Sequence, residues 1–221
     1  MNEFMDFFSG SDPENVSTSV KLLLLMTVLS LAPSILILMT CFTRIIIVLS
    51  FVRTSLATQQ MPPNQVLIGL ALFMSFFIMA PTFQEVNKTA LTPLFEEKIE
   101  LDEAYERASI PFKEFMSAHT RQKDLELFLS YAKMDKPKKI EDIPITALVP
   151  AFAISEIKTA FQIGFMIFIP FLVIDMIVAS VLMSMGMMML PPVMISLPFK
   201  ILLFVLVDGW YLVVKSLLQS F

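Results

Sequence analysis

The chain has 221 residues, 56% of them hydrophobic and only 16% charged, with a net charge of −4 and a mean hydropathy of +0.75. Globular proteins carry about 25% charged residues, so the composition is that of a membrane protein and the small net charge says little about partners. Cys41 is the only cysteine and His119 the only histidine, which excludes a disulfide framework or a multi-ligand zinc or haem site within one chain; no GxxxxGK or GxSxG occurs, so neither that mode of ATP binding nor that serine chemistry is encoded.

Charge is distributed unevenly. Of the 36 formal charges, 25 lie between Glu85 and Lys158. The pattern is apolar sequence with one polar insertion.

Residues 1–20 form a polar, acidic N-terminus without the basic start of a secretory signal, and they are expected to stay on the mature protein. Residues 21–84 hold the first two hydrophobic segments. Ser17 or Thr18 can cap a helix beginning near Val20. Leu22 to Phe42 carries no charge and is long enough for one span, kinked at Pro33 where a backbone donor is missing. Arg44 and Arg53 follow, then the loop "ATQQMPPNQ", whose prolines prevent helix across it. Val66 to Phe83 is a second apolar run, ending at Pro81 and at the short end for a span.

Residues 85–149 read as a charged, amphipathic helical insertion of two or three helices outside the bilayer. Thr92-Pro93 and Ser109-Ile110-Pro111 each resemble a helix start. Phe112, Phe115 and Met116 recur at helical spacing, as do Leu125, Phe128 and Leu129. "KMDKPKKIEDIP" is a polar linker back to apolar sequence.

Residues 150–221 read as a kinked helical hairpin. One arm is the span Phe161 to Met183, interrupted by Pro170 and Asp175; the other is Val193 to Leu218, with Pro198, Lys200, Asp208 and Lys215. The predicted fold is therefore all-α, with about four hydrophobic segments, a charged insertion and no sheet periodicity. Two arginines and no acid between Thr43 and Gln65 put that segment on the cytoplasmic side. The N-terminus, the insertion and the C-terminus then face outward.

A charge at bilayer depth is costly and needs a partner. In a hairpin, positions equidistant from the turn share a height. Asp175 and Lys200 are equidistant from the midpoint between Met187 and Met188, which predicts a buried Asp175–Lys200 pair, with pairing to another subunit as the alternative. An intramembrane aspartyl protease would need Asp175 and Asp208 together, yet Asp208 lies 20 residues past that turn and Asp175 only 12 before it. Sharing a proton also requires two close carboxylates without a competing cation, and Lys200 is such a cation. A small-solute carrier using the pair for proton coupling is the stronger rival.

Between the arms stands "MSMGMMMLPP". Gly186 and the Pro191-Pro192 pair make a tight turn. Met185, Met187, Met188 and Met189 project from it with soft, unbranched side chains that repack around variable shapes. Around a ring of subunits they would make a compliant apolar constriction; at the lipid they would only fill space.

"RIIIVLSFVRTSLATQQMPPNQVLIGLALFMSFFIMAP", "PAFAISEIKTAFQIGF", "GMMMLPP" and "PFKILLFVLVDGW" together resemble the FliP family of flagellar type III export-gate proteins, whose injectisome relatives are the SctR proteins. The resemblance implies a core subunit of the export gate, forming the pore through which unfolded flagellar proteins cross the cytoplasmic membrane. It implies a multi-pass protein of the basal body, in a homopentamer with FliQ-like and FliR-like subunits, next to FlhB-like and FlhA-like partners. It also implies that the methionine turn is a gasket around the exported chain. No enzyme activity, cofactor or nucleic acid is implied. Gln59, Gln60, Pro62, Pro63 and Asn64 become candidates for subunit contact. Glu156 has no basic residue at i±4, so it is expected to pair with a base of the insertion, Arg121 of a neighbouring subunit being the named candidate.

Overall fold

A computed structural model describes residues 37–58, 60–134, 137, 139–187 and 189–221, together with 23, 26, 27, 29–31, 34 and 35. The chain divides into two compact units, residues 1–38 and 39–221. In the first, the described positions are helical, and the Thr27 hydroxyl donates to the Leu23 carbonyl at 2.8 Å. The expected cap at Ser17 or Thr18 and the kink at Pro33 lie outside the described residues. Residues 39–41 are not helical, so the apolar run to Phe42 is not one helix.

The second unit holds helices α1 (Phe42–Ser55), α2 (Asn64–Val86), a π-helical turn (Asn87–Leu91), α3 (Thr92–Phe95), α4 (Leu101–His119), α5 (Gln122–Tyr131), α6 (Ile145–Ser184), α7 (Pro192–Leu206) and α8 (Gly209–Leu218). No strand occurs among the described residues. Among the described residues, two helical stretches, Asn64–Phe95 and Ile145–Ser184, are long and apolar enough to cross a membrane, and α7 with α8 makes a third if that bent pair is one span.

α1 buries Ile45, Val48, Leu49 and Val52, an i, i+3, i+4, i+7 stripe, against α6 and α2. Apolar helices gain little from hiding apolar surface among apolar surroundings, so close fit must hold them. Gly164 supplies it. A Cβ there would stand 2.5 Å from Phe51 Cγ, and Phe51 meets Phe161 edge-on at 5.2 Å.

Three helix limits differ from expectation. α2 runs through Pro81 and continues by the π-helical turn into α3, giving 32 residues rather than a short span. Thr92-Pro93 therefore lies in a continued helix. α4 passes through Pro111, and the Ser109 hydroxyl bonds back to the Glu106 carbonyl at 2.7 Å instead of capping. Its start is Leu101, where Asp102 and Glu103 favour the positive helix end. α6 has 40 residues and includes Pro150 and Pro170. Long-range packing outweighs the loss of one backbone bond per proline.

The base of α6 closes the insertion's own core, where Met116, Ile143, Leu148 and Phe152 are buried with Phe112 and Phe115 packed against them. The last apolar stretch is two helices bent by 62°. Asp208, at φ 51° and ψ 55°, sits in the left-handed region at the break. The Phe204 ring lies over Gly209, where a Cβ would be 2.3 Å from Cδ2, and it meets Trp210 edge-on at 5.3 Å.

Candidate functional site

α6 ends in a glycine cap. Gly186, at φ 74°, takes the left-handed position. Its N–H bonds the Met183 carbonyl, and the Met187 N–H bonds that of Leu182, each at 3.0 Å, which is the paired closure of a Schellman motif. Pro192 then opens α7 at its first position, where proline costs no hydrogen bond. Glycine and proline thus turn the chain within a few residues. The side chains at this tip are exposed: Met185 by 56%, Met187 by 46% and Met189 by 97%. Met188 lies outside the described residues.

Below the tip, α6 and α7 are tied by charge. Lys200 Nζ lies 2.7 Å from Asp175 Oδ2 and 3.2 Å from the Ser55 carbonyl oxygen. The Ser196 hydroxyl reaches the other Asp175 oxygen at 2.5 Å. The Lys200 side chain is 2% exposed and that of Asp175 25%. One lysine therefore joins α7 to α6 and to the end of α1. Asp208 is exposed at the α7–α8 break, so the two aspartates do not form a proton-sharing dyad here.

A second charged knot lies between α1 and α6. Arg44 binds Glu156 through two nitrogens; its Nε is 2.9 Å from Oε2, and Nη2 contacts Oε1. Both side chains are buried. Arg44 Nη1 also donates to the Ser220 carbonyl at 2.6 Å, and the guanidinium stacks 3.8 Å from the Phe221 ring centroid. The expectation that Glu156 pairs with a base of the insertion is corrected: its partner is Arg44 of the same chain. A search within one helix turn cannot see a partner 112 residues away.

Arg121 instead pairs with Asp124 at 2.5 Å, and Asp124 also accepts from the Ser155 hydroxyl at 2.6 Å. Burial alone would raise the Asp124 carboxyl, but the Ser155 hydroxyl and Arg121 outweigh it and hold it below its ordinary value. The loop before α2 has a cis Met61–Pro62 bond. Arg53 fastens it, donating to Asn64 Oδ1 at 2.5 Å and to the Pro62 carbonyl at 3.3 Å. Gln60, Pro63 and Asn64 are exposed and Pro62 half-buried, while Gln59 lies outside the described residues. No group of His, Cys, Asp or Glu suited to a metal occurs among the described residues.

Sequence reasoning did not foresee Arg44, Ser196 or the aromatic contact at Phe221. Arg44 was legible in principle. It follows an uncharged run and so needed a buried partner as much as Lys200 did.

An all-helical membrane protein with a methionine-tipped hairpin, cross-tied by buried charge, is the class that these features define. Residues 25–217 match the FliP family. The chain is 81% identical over 221 residues to the flagellar biosynthetic protein FliP of Bacillus subtilis strain 168, covering 100% of both chains. It is 56% identical to that of Caulobacter vibrioides over 91% of this chain and 76% of the relative. With that of Aquifex aeolicus it shares 52% identity over 94% of this chain and 87% of the relative. The chain belongs to the FliP family.

Proposed function

We propose that this chain is a core subunit of the flagellar type III protein export gate, forming the pore through which unfolded flagellar proteins cross the cytoplasmic membrane. Family membership supports the export role, since the relatives are flagellar biosynthetic proteins. The observation that carries the gate is the exposed methionine tip on a hairpin tied by Asp175 and Lys200. In a homopentamer with FliQ-like and FliR-like subunits, beside FlhB-like and FlhA-like proteins, five such tips converge on the channel.

An exported chain presents changing side chains. A seal of directional hydrogen bonds would have to be rebuilt at every residue. Thioether side chains bend at three torsions and contact through dispersion, so they follow the passing chain without a fixed partner. The buried pairs hold the arms, and the tip alone adapts. Driving energy comes from the partner proteins and the proton motive force. Arg121 and, in the loop before α2, Gln59, Gln60, Pro62, Pro63 and Asn64 are the residues proposed to meet neighbouring subunits.

Native mass measurement of the detergent-purified complex, co-expressed with its FliQ-like and FliR-like partners, tests the assembly. Five copies per complex are expected. A chain recovered only as a monomer with all partners present contradicts the reading.

A further inference from the structure

The insertion carries two faces of opposite charge that its own geometry keeps apart. At the start of α4, Glu97, Glu100, Asp102 and Glu106 are exposed around the exposed side chains of Phe95, Leu101 and Tyr105. Two neighbouring acids are already paired, Glu96 with Lys98 at 2.6 Å and Glu103 with Arg107 at 2.5 Å. Exposed aromatic and aliphatic groups rimmed by charge, at and beyond the end of the long Asn64–Phe95 stretch, mark a protein contact rather than a solvated surface.

The other face lies past the far end of α4. Lys123, Leu127 and Tyr131 are exposed on α5, spaced i, i+4, i+8 on one side of the helix. Lys158 of α6 is exposed too. Lys158 lies beside Lys123 and in the field of Arg121, whose Nε and Nη1 are buried without a hydrogen-bond partner and add positive charge beneath this face. Against these cations stand Asp124, already held by Arg121 and Ser155, and Glu126, which accepts from Gln122 at 3.2 Å. Adjacent like charges are unfavourable unless an anion joins them.

The 19 residues of α4 span about 28 Å at 1.5 Å per residue, so one chain cannot close its acidic face on its own basic face. More than two copies joined by one repeated contact need two different, complementary faces on each copy. We propose that the acidic, aromatic turn Phe95–Glu106 of one copy seats on the Lys123–Leu127–Tyr131 face of the next, with Lys158 at its edge. This contact rests on the homo-oligomeric reading and supplies its register mainly through the charged insertion.

Paired cysteines test it in the co-expressed complex. Cys41 is buried and stays unchanged. The chain carrying both Glu100→Cys and Lys123→Cys is expected to give, on mild oxidation, a ladder of linked copies that neither single variant gives. In a second arm, Lys123→Glu with Lys158→Glu, and separately Glu100→Lys with Glu106→Lys, are each expected to lower recovered complex at least threefold. Combining the four changes is expected to restore at least half of it. A complex of full mass that gives no ladder overturns the contact while leaving the homo-oligomer standing. Recovery unaffected by either charge reversal overturns it too. So does loss that follows removal of anionic phospholipid and is not rescued by the complementary swap. If the wild-type complex holds a single copy, its mass alone shows that the oligomer, and this contact with it, is wrong.

Discussion

Lys200 reaches across the C-terminal hairpin to Asp175 at 2.7 Å, buried on the lysine side and a quarter exposed on the aspartate side. Removing one partner of a buried pair leaves an uncompensated charge and costs about 3–5 kcal/mol, whereas removing both costs less. Asp175→Ala and Lys200→Ala are each expected to lower the stability of the purified complex and motility. The double variant recovers part of the loss. A proton-coupled carrier would need both groups, and its double variant would stay inactive. Thermal unfolding and motility of the three variants, read as a double-mutant cycle, measure the coupling.

The Arg44–Glu156 knot is more enclosed and more connected. Glu156→Ala strands a guanidinium that also holds Ser220 and Phe221. A loss of about 3–5 kcal/mol is expected, with the C-terminal residues released toward protease. Arg44→Met with Glu156→Met is expected to be milder than either alanine single variant. Urea unfolding in detergent, with limited proteolysis of the C-terminus, checks both outcomes.

Asp124 gives the insertion an acid sensitivity of defined sign. Its folded carboxyl lies below the ordinary value of about 3.8, so the unfolded chain binds the proton more readily. Its stabilisation is complete above that pH and is lost as pH falls through the folded value. Asp124→Asn is expected to flatten the acid limb of stability below about pH 4. Unfolding midpoints of wild type and variant, measured between pH 2 and 6, show it.

The hairpin was legible because two isolated charges in apolar sequence had to lie level with one another, and because Gly186, Pro191 and Pro192 bracket the turn. The family resemblance carried the export role, which residue chemistry alone did not. Helix limits were less legible. Pro81 read as a helix end and Pro111 as part of a helix start, yet both lie within helices. Glu156 was misread for a different reason. With no base one turn away on its own helix, its partner was sought in the charged insertion, whereas it stands on α1.

The central claim is that the methionine tip seals the pore, and single-complex conductance in planar bilayers tests it most directly. Met187, Met188 and Met189 changed together to alanine remove the sealing volume while leaving the ties at Asp175, Lys200, Arg44 and Glu156 intact. The alanine complex is expected to assemble and to conduct ions at rest. The corresponding leucine complex, similar in volume but stiffer, is expected to stay closed like wild type and to export more slowly. Equal resting conductance in wild-type, alanine and leucine complexes would contradict the gate.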